Sequence, residues 1–386
     1  MITHKKMIQT VVLIMSIVIV FIAFCPYIQA SAFIAFSSSN GKRYSFSKDD
    51  LSLIYQSTKN FVKDSVDSND SACYGNDWLI MDLARDDEPV PNDYLDSVIQ
   101  TLETNNGNLH TNAYDYTNYA RVTLALTSLG TDASNIAGYN LIEKVANLEE
   151  VQKQGINGIA YALLALDSGN YAFPEECSFT RKDYVKTILD AQLPDFGWDF
   201  AGKEADPDMT AIIIQALAPY YDSDTKVKEA VDAGLNTLSA LQQGDGGFTT
   251  PDAGYAESSE SCAMVILALL SLNIDPDKDE RFIKNGLSPI DNLCSFAAED
   301  GGFLHILDGR VNPLATDQCF RALVGYNRFK AGKTSFYDMT DQVSKQAQRK
   351  TKLPVPASSL LWIIPIVMCI AVIILIIRFK RRNTDQ

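Results

Sequence analysis

A helix that is apolar on every side constrains this chain more than any other feature. The run 209–221 contains only two strongly polar residues, Thr210 and Gln215, so it has no stripe that could face solvent. The tripeptide Asp206-Pro207-Asp208 before it is typical of a helix start, with an N-cap, a proline at the first helical position and a second carboxylate near the positive end of the dipole. A helix of this kind must be buried on all sides, and about a dozen residues are too few to cross a bilayer. It is therefore an inner helix of a larger helical assembly.

The same sequence pattern occurs three times, and each copy is a glycine-aromatic turn followed by a buried helix. The turns lie at 196–198, 246–248 and 301–303, so the pattern returns roughly every fifty residues, and such a fixed period marks a repeat architecture. The repeating unit is one polar-faced outer helix, one turn and one apolar inner helix. We expect Gly247 and Gly302 to hold positive φ in these turns.

Helical patterns of this kind form six pairs along the chain. Outer members are predicted at about 48–66, 92–105, 139–149, 179–193, 225–243 and 278–298, and inner members at about 76–86, 115–129, 156–167, 206–221, 257–272 and 313–330. Pairs that cannot bury their own apolar faces stack on their neighbours. The sequence therefore predicts an all-α body, with amphipathic helices outside and buried helices inside.

The two ends of the chain indicate attachment to a membrane. Two lysines, an apolar run at 11–24 and small residues at 30–32 are typical of a secretory signal peptide. The apolar run 360–377 is long enough to cross a bilayer, and the basic residues after it favour a cytoplasmic tail. The predicted order is a signal peptide at 1–32, a polar lead-in at 33–46, the body at 47–335, a juxtamembrane stalk at 336–358, a transmembrane helix at 359–378 and a basic tail at 379–386. The body would then lie on the cell surface. Residues 352–357 also have the outline of a cell-wall sorting signal, so sortase processing stays open.

Charge and cysteine content exclude two classes of protein. The net charge of −15 repels nucleic acid, so no nucleic-acid partner is expected. An odd number of cysteines between the two ends excludes a dense disulfide framework, although any single bridge stays open. These cysteines are Cys73, Cys177, Cys262, Cys294 and Cys319.

The turn motif resembles a known family. Gln242, Asp245, Gly246, Gly247 and Phe248, with their copies, are similar to the glutamine-to-aromatic turn of the prenyltransferase and squalene-oxidase repeat. The resemblance implies an (α/α)6 toroid over about residues 47–335. That fold carries terpene cyclases, protein prenyltransferases, complement-type domains and corrinoid carriers such as intrinsic factor and transcobalamin, so it does not by itself imply an activity. With its signal and anchor, the chain looks most like surface proteins of Gram-positive bacteria.

Two enzyme classes follow from the resemblance. The segment 206–211 is similar to the Asp-x-Asp-Asp-Thr-Ala motif of class II terpene cyclases, which would make Asp208 the general acid, a role that needs a buried neutral carboxyl group. Met209 stands where that motif has its third aspartate. The same tripeptide recurs as Asp275-Pro276-Asp277, where we expect an outer helix to start, so capping is the preferred interpretation of Asp208.

A prenyltransferase would need a zinc site. The resemblance places that site near Glu260, Cys262 and Ala315, where alanine stands in the position of a histidine ligand, so we expect neither a metal nor another cofactor. We interpret His110 and His305 as turn residues.

Binding is the third class. The N-termini of the inner helices of a toroid open at one end, where polar side chains would rim a pocket for an unidentified small-molecule or surface ligand. The candidate ligand-binding residues are Tyr116, Asn157, Asp206, Asp208, Thr210, Glu260, Thr316 and Asp317. We interpret the nearby Trp198 and Phe248 as packing residues. The sequence thus favours a non-catalytic, membrane-anchored binding or interaction domain. The alternatives are a class II cyclase and, by resemblance, a corrinoid-binding surface protein.

Overall fold

A computed structural model describes residues 45–68, 73–109, 116–249 and 256–343. This part of the chain is helical and holds isolated β-bridges but no strand, which confirms the predicted all-α class. The predicted signal peptide at 1–32 and transmembrane helix at 359–378 lie outside the described residues. Within the described ranges, no helix combines the length and the apolar character needed to cross a membrane.

The helices of these ranges alternate between partly exposed and buried segments. In chain order they are α1 (Lys48–Ser68), α2 (Asp77–Arg85), α3 (Asp93–Thr104), α4 (Thr117–Ser128), α5 (Ile142–Val145), α6 (Leu148–Val151), α7 (Gly155–Ser168), α8 (Arg181–Asp190), α9 (Pro207–Leu217), α10 (Thr225–Leu241), α11 (Ser259–Ser271), α12 (Pro289–Cys294) and α13 (Pro313–Lys330). Single 3₁₀ turns occupy Gln152–Gln154, Ala218–Tyr220 and Glu280–Phe282.

The inner helices of the prediction are α2, α4, α7, α9, α11 and α13. Each packs against the next in this order, and α13 packs against α2, so the contacts form a closed circuit. Helix α1 lies against α13 and α2, while α8, α10 and α12 pack on α7, α9 and α11. The apolar core lies along the inner helices, as expected for helices without a polar stripe.

The outer helices differ from the prediction in two places. The segment 139–149 holds the short helix α5 and the start of α6 rather than one helix, and 278–298 holds a 3₁₀ turn followed by α12. Asp275-Pro276-Asp277 does not begin a helix. The Asp275 carboxylate accepts the backbone N–H of Asp277, and its carbonyl accepts those of Lys278 and Asp279, which closes a turn. The residues after this tripeptide are charged and offer no apolar face to bury, unlike those after Asp208.

Positive φ in the glycine-aromatic turns falls one residue earlier than predicted. Gly246 (φ 90°) and Gly301 (φ 94°) hold it, and Phe196 (φ 67°) occupies the same position in the first copy. A side chain with φ in this range is strained unless the residue is glycine. The first copy therefore carries strain that the other two avoid.

Close packing, and not φ, fixes the second glycine of each turn. A Cβ on Gly247 would lie 2.4 Å from the Asn292 side-chain nitrogen, and a Cβ on Gly302 would lie 2.4 Å from a Val311 methyl carbon. Both distances are far inside van der Waals contact. The prediction named the right residues for the wrong physical reason.

The aromatic residue of each turn is buried and is bonded to the next inner helix. Trp198, Phe248 and Phe303 are fully buried. Their carbonyl oxygens accept the backbone N–H groups of the N-cap residues, which are Asp206 (3.0 Å), Ser258 (3.1 Å) and Asn312 (2.9 Å). The packing roles predicted for Trp198 and Phe248 are confirmed.

The packed body continues beyond residue 335, where the sequence predicts a stalk to begin. Phe336, Tyr337 and Met339 are buried, and the Met339 N–H donates to the Ser168 carbonyl at the end of α7 (2.9 Å). The compact unit ends at Gln342. The helical pattern stops at Gly332, but apolar side chains of the irregular segment after it still pack into the core. Hydrophobic periodicity does not detect such a segment, because the segment has no regular period.

Candidate functional site

Three of the predicted binding residues have structural contacts at the turns. The Asp206 carboxylate accepts a backbone N–H from the first turn of α9 and acts as the predicted cap. The Thr210 hydroxyl accepts the Trp198 N–H (3.0 Å) and donates to the Trp198 carbonyl (3.2 Å). Thr316 accepts the N–H of Phe303 in the same way (2.9 Å). Both threonines are fully or nearly fully buried, so their hydroxyls hold the turn against the inner helix.

Glu260 lies in a polar pair with His305. The nearly buried carboxylate accepts hydrogen bonds from the hydroxyls of Ser258 and Ser259 (3.0 and 3.1 Å), and the His305 Nδ1 lies 2.9 Å from both of its oxygens. His305 is therefore more than a turn residue, contrary to the sequence interpretation. Its partner is 45 positions away in the chain, and no local pattern signals that contact.

A metal site does not form around this pair in the described residues. The Cys262 thiol donates to the Pro289 carbonyl (3.1 Å), and no group of three histidine, cysteine or acidic side chains is placed to hold a metal in the described ranges. His110 lies outside them. The arrangement at Glu260 is a hydrogen-bonded pair at the start of α11.

Tyr116 and Asn157 stay at the N-terminal ends of α4 and α7. The Tyr116 ring is half-buried, with its centroid 5.7 Å from that of Tyr119. Burial, followed by the charge of Glu150, raises the pKa of Tyr116. Asn157 is half-buried in the first turn of α7.

Asp317 belongs to a buried ionic group that we call the central cluster: Asp82 on α2, with Asp317 and Arg321 on α13. The Arg321 Nε and Nη2 donate to the two carboxylate oxygens of Asp82 (2.8 and 3.2 Å), and Nη2 also donates to the Asp317 Oδ2 (2.8 Å). The exposed fractions of the three side chains are 0, 9 and 3%. The last inner helix thus meets the first through an ion pair that is almost fully buried.

Aromatic side chains surround the central cluster. The Arg321 guanidinium lies 4.7 Å from the centroid of the Trp78 ring, and the Trp78 ring lies 5.5 Å from that of Tyr161 on α7. Tyr337 approaches from the C-terminal segment. Burial, opposed by Arg321, raises the pKa of the Tyr337 phenol, which places this phenol within the electrostatic field of the cluster. We call the central cluster with Trp78, Tyr161 and Tyr337 the central site.

The cluster holds two carboxylates and only one guanidinium. Burial raises the pKa of Asp82 well above its ordinary value, and the charge of Asp317 raises it further while Arg321 opposes both. Burial also raises the pKa of the Tyr161 phenol, with Arg321 opposing and with Asp317 and Asp208 adding to the shift. A raised pKa favours the neutral form of Asp82, and a hydrogen bond between the Asp82 and Asp317 side chains contributes to this shift.

Two polar atoms of the central site are buried without a hydrogen-bond partner among the described residues. They are the Asp317 Oδ1 and the Tyr337 hydroxyl. Their residues are only 6 and 7% exposed. An unsatisfied buried polar atom costs about 1–3 kcal/mol, and native structures keep few of them.

The pattern of burial shows that several inner helices have one side chain that is not fully covered. Tyr161 is the one residue between Gly158 and Leu166 that is not buried, and Asp208 is the one such residue of α9. In α4, Arg121 is the one residue between 118 and 128 that is not buried.

A cleft lies at the opposite ends of the inner helices. It has a volume of about 480 Å³ and is lined by the ends of α7, α9 and α11 and by residues 335–340. The Tyr220 hydroxyl donates to Asp167 (2.7 Å), which also pairs with Arg181, so the charged groups there are mutually satisfied. Tyr337 lines this cleft and is also part of the central site.

Of the six residues of the central site, the sequence interpretation named only Asp317. The missed residues are Trp78, Asp82, Tyr161, Arg321 and Tyr337. A signal existed for two of them, because Asp82 and Arg321 are ionic residues with apolar neighbours on both sides in the chain, and such residues are rarely buried without a partner. The three aromatic residues have no signal that separates them from ordinary packing residues.

Comparison with known proteins assigns neither a family nor a function to this chain. No protein-family model matches the chain, and no curated protein matches it significantly.

Proposed function

We propose that this chain is a membrane-anchored (α/α)6 toroid on the cell surface that binds a small molecule at the central site. The closed circuit of inner helices supports the toroid, and the apolar segments at 11–24 and 360–377 support secretion and anchoring. The observation that carries the binding role is the pair of buried atoms without partners, the Asp317 Oδ1 and the Tyr337 hydroxyl.

Ligand sites are mostly apolar spaces with a few convergent polar groups. The central site has this composition, because aromatic rings from α2, α7 and the C-terminal segment surround one ionic cluster. A purely structural ion pair would gain from satisfying every lone pair, since partly satisfied buried networks are worse than an apolar core. A ligand that completes the hydrogen bonds of Asp317 and Tyr337 removes that cost.

Native mass spectrometry of the full-length protein, purified in detergent, tests this role. We expect the wild type to retain a small molecule and Asp317→Ala to lose most of it. Asp190→Ala is the matched control, because Asp190 is an exposed acid of α8 in a surface pair with Lys186. Visible absorbance of the same sample would identify a corrinoid. A wild-type protein that carries no small molecule, and whose melting temperature responds to no compound of a metabolite library, would refute the binding role.

A class II cyclase is the second candidate, and one observation favours it. Asp208 is the one residue of α9 that is not buried, and its charge reaches Tyr161 at the central site. The test incubates the protein with isoprenoid diphosphates and epoxides and compares the products with those of Asp208→Asn. Cyclised products that vanish in the variant would replace the binding role by catalysis.

A further inference from the structure

The cleft between the ends of α7, α9 and α11 and the segment 335–340 has the dimensions of a ligand site. Its volume is about 480 Å³, within the range of about 300–1,000 Å³ that is usual for small-molecule pockets. A single water molecule occupies only about 30 Å³. Leu164, Leu267 and Phe336 contribute apolar side chains to its lining. The cleft can therefore hold an organic molecule of several atoms.

The charged groups that line the cleft already have partners. The Asp167 carboxylate accepts from the Arg181 Nε (2.5 Å) and from the Tyr220 hydroxyl (2.7 Å). The Arg181 Nη2 also donates to two backbone carbonyls (2.9 and 2.8 Å). The Asp338 carboxylate accepts the backbone N–H and the hydroxyl of Thr340 (3.2 and 2.6 Å). These groups therefore do not require a charged ligand.

Gln215 brings an uncharged acceptor to the lining of the cleft. Its Nε2 donates to the backbone carbonyls of Ala211 and Met264 (both 3.2 Å). These contacts fix the orientation of the amide, because a carbonyl oxygen accepts from an N–H and not from another oxygen. The Gln215 Oε1 is then buried without a hydrogen-bond partner among the described residues, in a residue that is only 2% exposed. An amide oxygen only accepts hydrogen bonds, so this atom needs a donor.

Tyr337 brings a second uncharged group to the same cleft. Its hydroxyl is also buried without a hydrogen-bond partner in the described ranges. Burial raises the pKa of this phenol, which keeps it protonated near neutral pH. A protonated phenol can donate as well as accept. The two groups that lack described partners in the cleft are thus one neutral acceptor and one neutral donor.

We propose that the cleft is a second binding site, which takes a small neutral molecule with an N–H or O–H donor for the Gln215 Oε1 and an acceptor for the Tyr337 hydroxyl. Amides and alcohols have both groups. The inference goes beyond the binding role proposed above, because Gln215 belongs to the cleft alone, whereas Tyr337 adjoins both sites. A molecule without a donor would leave the Gln215 oxygen buried and unpaired, which is the cost that the ligand removes.

Two lactams with the same ring test the inference. Pyrrolidinone has an N–H donor and a carbonyl acceptor, and N-methylpyrrolidinone has a methyl group in place of the donor hydrogen. Each is titrated into the full-length protein in detergent, and binding is followed by ligand-observed NMR at pH 7 with protein-free detergent as the blank. Because the donor pairs a buried acceptor, we expect pyrrolidinone to bind about tenfold more tightly than its N-methyl derivative. Pyrrolidine, which is a cation at this pH, should bind more weakly than pyrrolidinone, because it loses more hydration on entering the cleft.

Three variants assign the binding to the cleft. Gln215→Met removes the amide and keeps an unbranched side chain, so the preference for pyrrolidinone should fall to about twofold or less. Gln100→Met is the matched control, because Gln100 is an exposed residue of α3, and it should keep the wild-type preference. Tyr337→Phe removes only a hydroxyl that has no described partner. It should weaken pyrrolidinone about threefold or more without lowering the melting temperature, and it tests the site even if Gln215→Met does not fold.

Each part of the inference can fail separately. Equal binding of the two lactams, or tighter binding of pyrrolidine, would contradict a neutral ligand with a donor. A preference that survives Gln215→Met, or pyrrolidinone binding that Tyr337→Phe leaves unchanged, would show that the cleft is not the site. Absence of binding by all three probes at millimolar concentration would overturn the inference as a whole. The central site is tested by the molecule that co-purifies with the protein, so either site can fail while the other stands.

Discussion

Asp341 joins the irregular C-terminal segment to two buried arginines. Its Oδ1 accepts from the Arg85 Nη1 (2.8 Å), and its Oδ2 accepts from the Arg328 Nη2 (3.1 Å). The arginine side chains are 0 and 3% exposed, while Asp341 is 25% exposed. Burial, followed by the charge of Arg328, lowers the pKa of Arg85 to about 10. The Asp341 carboxylate therefore offsets the repulsion between the two buried guanidinium groups.

The effect of Asp341→Asn follows from these contacts. Breaking a buried ion pair by removing one partner costs about 3–5 kcal/mol. Since Asp341 is a quarter exposed, water replaces part of the lost interaction, and we expect a loss of about 2–3 kcal/mol in the free energy of unfolding. Burial raises the pKa of Asp341, but Arg85 and Arg328 outweigh it and hold this pKa below its ordinary value. The contribution of Asp341 to the free energy of unfolding is therefore complete above about pH 4. It declines as the pH falls through the lower pKa that Asp341 has in the folded state.

Urea denaturation of residues 33–350, followed by circular dichroism, measures this loss. The difference between wild type and Asp341→Asn should be largest near neutral pH and should disappear in acid. Asp190→Asn is the control, since that carboxylate is exposed on α8 and pairs with Lys186 at the surface. A difference below about 0.5 kcal/mol at pH 7 would show that residues 333–343 do not hold the two arginines as described.

Three further predictions concern the turns and the topology. Phe196→Gly should raise the free energy of unfolding by about 0.5–1 kcal/mol in the same denaturation assay, because it relieves a left-handed φ at a residue that is 58% exposed. Gly247→Ala should lower it by about 1–3 kcal/mol, because the new methyl group collides with Asn292, and an unchanged midpoint would contradict the packing. Protease added to intact cells should remove the body and leave a small C-terminal fragment; a body cut only after lysis would place it inside the cell.

Most of the inner helices could be predicted from the sequence because their signals are local. Apolar residues on every side require burial, and the caps Asp206, Ser258 and Asn312 each accept a backbone N–H from the first turn of the helix that follows. The outer segment 278–298 could not be predicted as well, because it holds a 3₁₀ turn and α12 rather than one helix. Asn285 and Gly286 hold positive φ and separate its 3₁₀ turn from α12, a break that the Asn-Gly pair could have signalled.

The site depends on contacts that no local pattern contains. Asp82 and Arg321 are 239 positions apart, and they meet only because the last inner helix packs on the first. Capping explains Asp206 from its neighbours alone, whereas the partner of Glu260 is on a distant loop. Sequence reasoning therefore located the polar ends of the inner helices but not the ionic group within the circuit.

The central cluster lies where the circuit of inner helices closes. Helices α2 and α13 belong to opposite ends of the chain, and their interface is where closure is completed. Apolar contacts alone set the register of such an interface weakly, whereas the bidentate Asp82–Arg321 pair requires one alignment. Asp317 joins that pair with one oxygen, and its other oxygen has no hydrogen-bond partner among the described residues. A small molecule bound at the central site would thus stabilise the closed form by mass action, by about 2.7 kcal/mol at a hundred times its Kd. Ligand and closure would therefore each favour the other.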